Sequence, residues 1–383
     1  MSFFSDRVKF NRNEFSGAFG DIGTDLPLIV GMLMATQLEA ANALIVFGLM
    51  QMLTAFIYGM PMPVQPLKAV AMIVITQKVS VSVIWGGSIV IGALMLILTL
   101  TGLIGWLGKV IPKTVIRGIQ LGLGLQLSLL ALKDYIPSDG YTGYGFAAAG
   151  FIIGLILIGN RRFPPALLIL PLGLLYLFLF NPGNITGISV TVPHFSLPSL
   201  TWDDLLTGFL VLSLPQIPLS LSNSVFATRQ LAADYFPEKN ITHTKIGLTY
   251  SMMNLISPLF GGIPVCHGSG GIAGHYTFGG RTGGSTFIYG LFFLALGFFF
   301  SGSGAANLLL FPKPVLGIIL LFEGTALMML VKDIITEKRM FFVAIIVAVC
   351  ANTLPHGYLT GMIIGLLVYY LSGKIFLKHF GKQ

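Results

Sequence analysis

Apolar stretches of bilayer-spanning length recur along this chain between residues 14 and 377, with only short polar breaks between them. Lipid offers no partner to a backbone N–H or C=O, so the peptide groups must pair within the protein, and helices of about twenty residues do this within one segment. The fold class expected is an all-α polytopic membrane protein. Composition agrees: 9% of residues are charged, 55% are hydrophobic and the mean hydropathy is +0.86, whereas a soluble domain carries roughly a quarter charged residues. No extramembrane domain is expected, because the longest polar connection, 181–201, is too short for one and the chain ends at Gln383 just past the last apolar stretch. No cleavable signal peptide is expected either, since residues 1–14 are polar and the first apolar stretch holds Asp21 and Asp25.

The pattern divides into fourteen segments, at 14–35, 39–59, 61–77, 81–108, 112–132, 142–160, 163–180, 201–226, 243–260, 263–280, 284–302, 307–331, 338–354 and 357–377. With the N-terminus cytoplasmic and the side alternating at each segment, only Lys78, Lys133 and Lys313 of the 22 Lys and Arg are assigned to the far side, while Lys68 and Arg117 fall inside segments and are assigned to neither. Positive charge gathers on the cytoplasmic side of membrane proteins, so the bias supports the segmentation and puts both termini in the cytoplasm. In a bacterium the host membrane would be the inner one. The same bias accounts for the net charge of +8 without nucleic acid as a partner. Cys266 and Cys350, both in apolar context, form neither a disulfide framework nor a metal cluster, and no cofactor is expected.

Two sequence echoes set the architecture. Ile111-Pro112-Lys113-Thr114-Val115 recurs as Phe311-Pro312-Lys313-Pro314-Val315, and Pro63-Val64 recurs as Pro264-Val265. Both offsets are about 200 residues, which pairs segment three with ten and five with twelve and makes two halves of seven. Seven is odd, so the second half enters the membrane upside down, a 7+7 inverted repeat.

Segments three and ten are broken. Pro63-Val64-Gln65-Pro66-Leu67-Lys68-Ala69 and Pro264-Val265-Cys266-His267-Gly268-Ser269-Gly270-Gly271 set proline and polar side chains into apolar surroundings. Non-helical backbone at that depth is tolerated where it is buried in protein or lines a wet cavity, so each break predicts a short extended stretch followed by a half-helix that starts near mid-membrane. The free N–H groups of a helix start suit an anion, each start being worth roughly half a positive charge. Gly268 and Gly270 would let an oxyanion approach the backbone, and Gln65, Cys266, His267 and Ser269 could add donors. Close helix packing is the competing reason for the glycines.

Lys68 in the first turn of a helix opposes the helix dipole and bears an intramembrane cost of roughly 2.5–3.5 kcal/mol. A bound anion or a carboxylate of segment one must compensate it. Asp21 and Asp25 stand four apart, on one helical face, and two carboxylates so placed repel until one is neutralised by Lys68 or by a proton. They are therefore candidates for proton coupling, with a static salt bridge as the alternative. In segment eight, Gln216, Ser220 and Asn223 form a polar stripe at i, i+4 and i+7 that either faces a substrate or joins helices. Glu323 lies near mid-membrane in segment twelve, either protonated or facing Arg117. Nothing resembles a hydrolase triad or a P-loop, so neither an enzyme nor an ATP-driven pump is expected.

Phe19-Gly20-Asp21-Ile22-Gly23-Thr24-Asp25-Leu26-Pro27, the stretch 60–69 and the stretch 262–276 together resemble the signature motifs of the plant-type molybdate transporter family, within the sulfate permease superfamily. The resemblance spans essentially the whole chain. It implies a core domain (1–110 and 201–302) and a gate domain (111–180 and 307–377), without the cytoplasmic regulatory domain that sulfate permeases commonly carry. It also implies molybdate held between the starts of segments three and ten, with Gln65 and 266–270 as site candidates. The expected function is secondary active transport of molybdate, with proton symport, tungstate accepted and sulfate at least partly rejected. Lipid surrounds such a protein, and a second copy of the chain is a candidate partner. Transport of sulfate, another anion or a nucleobase on the same fold, or an anion channel, are the rival readings.

Overall fold

A computed structural model describes residues 7–157, 199–299 and 312–380, with six further positions between 171 and 179. Most of these residues are helical. In chain order come α1 (Arg12–Ala18), α2 (Ile22–Ala35), α3 (Ala40–Tyr58), β1 (Val64–Pro66), α4 (Lys68–Gln77), α5 (Val81–Leu100), α6 (Ile104–Val110) and α7 (Lys113–Leu130), which continues through a π turn and a 3-10 turn into α8 (Gly140–Leu157). They are followed by α9 (Trp202–Tyr235), α10 (His243–Ile256), β2 (Val265–His267), α11 (Ser269–Thr277), α12 (Gly283–Phe299), α13 (Lys313–Met329), α14 (Lys338–Thr353) and α15 (Gly357–Phe380). Among the described residues, five helical runs are long and apolar enough to cross a membrane, or six if α1 and α2, bent by 42°, count as one. Segment seven and the connection 181–201 lie largely outside the described residues.

The two breaks form a structure that the sequence reading did not contain. β1 and β2 pair antiparallel, Val64 opposite His267, Gln65 opposite Cys266 and Pro66 opposite Val265, and Leu67 N donates to Pro264 O at 3.0 Å. All six strand residues are buried. A two-stranded ribbon leaves two outer edges, and unpaired backbone groups at such depth are costly. Side-chain amides close both. Gln51 of α3 donates to Val64 O (2.7 Å) and accepts from Val64 N (2.8 Å), and Asn254 of α10 donates to Val265 O (2.6 Å) and accepts from Val265 N (3.0 Å). Each amide acts as a one-residue third strand, and the same device serves both strands.

Glycines let the long helices meet backbone to backbone. A Cβ on Gly48 or Gly290 would come within 2.6 Å of the other's carbonyl oxygen where α3 crosses α12, and Gly124 and Gly324 face each other in the same way (2.4 and 2.6 Å) where α7 crosses α13. α9 departs from α-helical geometry at two π turns, Gly208–Ser213 and Ser220–Ala227, which flank the run holding Pro215 and Pro218. Proline supplies no N–H and disturbs the regular ladder, so this helix is irregular where the polar stripe sits. The start of α12 is closed by the buried carboxylate of Glu14 on α1, which accepts from Arg281 N, Thr282 N and Ser285 N.

Candidate functional site

Both half-helices, α4 and α11, begin one residue beyond their strand. Neither Leu67 nor Gly268, the residues at their N-caps, bonds the first turn through a side chain. The two starts are nonetheless unequal. Gln216 of α9 reaches α4, where its Oε1 accepts from Ala69 N (2.9 Å) and Val70 N (3.4 Å). Its Nε2 donates to Ser220 Oγ (3.1 Å), which lies 2.7 Å from the Tyr250 hydroxyl. Among the described residues no side chain bonds the leading N–H groups of α11. The expectation of two equivalent anion cradles is corrected: the protein caps one helix start itself and leaves the other open.

Two adjoining cavities border this region. A small one of about 60 Å³ is walled by Lys68, Gln120, Gln216, Asn223, Ser224 and Cys266, with Leu219, Leu327 and Leu330. A larger vestibule of about 420 Å³ shares Gln120, Asn223 and Leu330 with it and adds Lys113, Arg117, Ser222 and Ser269 to its wall. Ser269 Oγ donates to Asn223 Oδ1 at 2.6 Å, so the stripe on α9 is tied to both half-helices, by Gln216 to α4 and by Asn223 to α11. Ser220 is fully buried and lines neither cavity.

Gln65 crosses beneath the start of α11, with its Nε2 donating to Asp21 Oδ2 at 2.5 Å. Its Oε1 is buried without a hydrogen-bond partner. Gln65 thus spends an N–H on Asp21 and leaves an acceptor uncommitted, where the sequence suggested a donor. The side chain lies where a β-carbon on Gly268 would be, 1.5 Å from that position, and a β-carbon on Gly271 would fall 2.5 Å from Asp21 Oδ2. Gly270 faces outward, with nothing within 4 Å of the same construction. Asp21 sits at the N-cap of α2, just after the bend, and Asp25 in its first turn, fully buried and accepting from the Tyr289 hydroxyl at 3.1 Å. Cys266 is within electrostatic reach of Lys68, Asp25 and Asp21.

His267, offered by the sequence as a donor, ends the extended stretch and so points opposite to Cys266 and away from both cavities. Its Nδ1 donates to Pro63 O (3.4 Å) and its Nε2 accepts from Thr249 Oγ1 (2.8 Å), which makes it a brace of the ribbon. Arg117 grips Asp333, its Nε and Nη2 meeting both carboxylate oxygens at 2.6–3.2 Å. Glu323 falls within α13, and its side chain lies outside the described residues. His275, in the last turn of α11, is fully buried and packs edge-on to Tyr289 at 5.6 Å between ring centroids.

The chain matches a family model described as "Molybdate transporter of MFS superfamily" over residues 13–127 and 208–327. Among curated proteins it is 32% identical to "Molybdate transporter 2" of Arabidopsis thaliana, covering 93% of this chain and 87% of that one. It is 30% identical to "Molybdate transporter 1" of the same plant, covering 96% and 89%. The transmembrane domain of the cyanobacterial bicarbonate transporter BicA superposes with a TM-score of 0.64 at 17% identity, covering 94% of this chain and 98% of that domain. Murine Solute Carrier 26 family member A9, an anion transporter in the inward-facing state, superposes with a TM-score of 0.70 at 14% identity, covering 96% and 69%. The superfamily in the family description differs from the sulfate permease superfamily expected from the motifs, and the solved folds are those of anion transporters.

Proposed function

Because this chain belongs to the molybdate transporter family, we propose that it carries molybdate across the membrane as a secondary active transporter, with protons as the coupling ion. It is an integral multi-pass membrane protein with the fold of solved anion transporters. The observation that carries the reading is the uncapped start of α11 beside cavities walled by Lys68 and by neutral donors. A tetrahedral dianion needs positive potential and donors that hold still. Lys68 supplies a full charge, the start of α11 about half of one, and Asn223 an amide NH₂, oriented by the Ser269 hydroxyl that donates to its oxygen.

Residues of the proposed core (Lys68, Gln216, Asn223, Cys266) and of the proposed gate (Gln120, Leu327, Leu330) share the smaller cavity, which supports transport by movement of 1–110 and 201–302 against 111–180 and 307–377. The β1–β2 ladder ties both half-helices into one body, and the Gly124–Gly324 approach ties the gate halves together. The Gln51 and Asn254 pairings support a two-fold repeat. The basic loops favour cytoplasmic termini.

Coupling follows from charge. Asp21 and Asp25 place negative charge beside the site, so a bound dianion favours their protonated forms, and by reciprocity a bound proton favours the anion. Molybdate binding to purified protein should therefore tighten as pH falls, and Asp21→Asn should flatten that dependence while retaining binding. If Asp21→Asn and Asp25→Asn both leave pH-dependent uptake in proteoliposomes intact, coupling resides elsewhere and Glu323 is the next residue to test. Molybdate should also bind more tightly than sulfate; the reverse order would remove the substrate assignment. Uptake that follows voltage and ignores an imposed pH gradient would make the protein a channel.

A further inference from the structure

The vestibule contains a charged cluster that the substrate site does not use. Arg117 Nε lies 3.0 Å from Asp333 Oδ1 and 3.2 Å from Oδ2, Arg117 Nη2 lies 2.6 Å from Oδ2, and Lys113 Nζ lies 2.6 Å from the same oxygen. Arg117 Nη1 donates to Gln120 Oε1 at 2.8 Å. The guanidinium, itself part of the vestibule wall, therefore links Asp333, 30% exposed, to Gln120, which walls both cavities. A guanidinium fork and an ammonium gripping one carboxylate are the donor set that would grip an oxyanion of sulfate or molybdate type. Two cations against one carboxylate also leave a net positive charge facing the vestibule.

We propose that Lys113 and Arg117 form an outer oxyanion site in the vestibule, on the side the basic loops mark as cytoplasmic, and that Asp333 is held there as a tethered anion which an oxyanion in the vestibule displaces. This rests on the reading of the chain as an oxyanion transporter. Arg117 is 18% and Asp333 30% exposed, so water reaches the pair, and a dianion offers the same donors a higher charge than the single carboxylate it replaces. With Asp333 displaced, the oxyanion lies in the same vestibule as Asn223 and Ser269, beside the start of α11. Gln120 links the two sites by holding Arg117 at the shared wall.

A static brace between α7 and the turn after α13 would make the same contacts, and the two roles differ in sign. For a tethered competitor, removing the carboxylate helps the anion and removing the guanidinium hurts it. For a brace, both changes hurt. In the full-length protein reconstituted in liposomes, Asp333→Asn should lower the half-saturating molybdate concentration about threefold to fivefold, the range for one exposed charge pair. Asp333→Glu, which keeps a carboxylate on the tether, should stay near wild type. Arg117→Gln should raise the half-saturating concentration about tenfold, and Asp333→Asn added to it should bring no gain. All effects should shrink at high ionic strength. Asp333→Asn binding no better than wild type in folded protein overturns the proposal. Sulfate provides a separate arm: if wild type binds sulfate but not molybdate and Asp333→Asn still tightens it, the outer site stands and the molybdate assignment falls.

Discussion

Gly268→Ala should weaken molybdate binding on the order of a hundredfold and stop transport, while Gly270→Ala, two residues on, should fold normally. A β-carbon on Gly268 would lie 1.5 Å from Gln65 Oε1 and 2.3 Å from its Cδ. A flexible side chain could swing aside, but Gln65 is 1% exposed, its backbone is held in the ribbon and its amide is bonded to Asp21. It can yield only by breaking that bond or by pushing back the start of α11. Overpacking costs about 1–3 kcal/mol and a buried bond to a charged group about 1.5–3 kcal/mol, which together reach the hundredfold range. Gly270 is open to solvent on this side, so its alanine variant tests whether the anion needs the backbone bare there. Binding measured on monodisperse protein checks both. Wild-type affinity in Gly268→Ala would remove Gln65 and its bond to Asp21 from the site.

Glu14→Ala should be the most destabilising single change outside the site, by about 4 kcal/mol. The carboxylate is 2% exposed and accepts from Arg281 N (3.1 Å), Thr282 N (2.9 Å) and Ser285 N (3.0 Å), the orphan donors at the start of α12. Charge-assisted bonds are worth about 1.5–3 kcal/mol each, and water can reach the partly buried Arg281 and Thr282 amides, so the total falls below three full bonds. A negative charge there also complements the helix dipole. Glu14→Gln keeps one acceptor oxygen but turns an NH₂ toward an N–H, so it should recover less than half of the loss. Thermal unfolding in detergent measures both; a Glu14→Ala variant that melts with the wild type would show that water replaces the carboxylate.

The breaks at 63–69 and 264–271 were legible because proline and polar residues interrupt otherwise apolar runs, and α4 and α11 begin where those runs resume. The ribbon was not, since three-residue strands containing proline carry no periodic signal of their own. Gln51 and Asn254 were passed over because a lone amide in an apolar helix looks the same whether it joins two helices or closes a strand edge. The reading of His267 as a ligand donor failed on geometry: an extended stretch alternates sides, which turns it away once Cys266 faces the cavity. Arg117 and Glu323 were related because they fall in corresponding segments, a criterion that could not single out Asp333, which lies past the end of α13 within reach of a long side chain. Glu14 stood in the sequence only as the last polar residue before the first apolar stretch, and a charge so near the chain start gives no sign of being folded under a helix more than 260 residues away.

The β1–β2 ladder also bears on how the protein is made. When Gln65 leaves the ribosome its partner Cys266 has yet to be synthesised, about two hundred residues later, and until then Gln51 can satisfy only one edge of the first strand. The nascent chain therefore enters the membrane with an unfinished sheet edge. The first half of the protein becomes self-sufficient only when the second half has been inserted beside it.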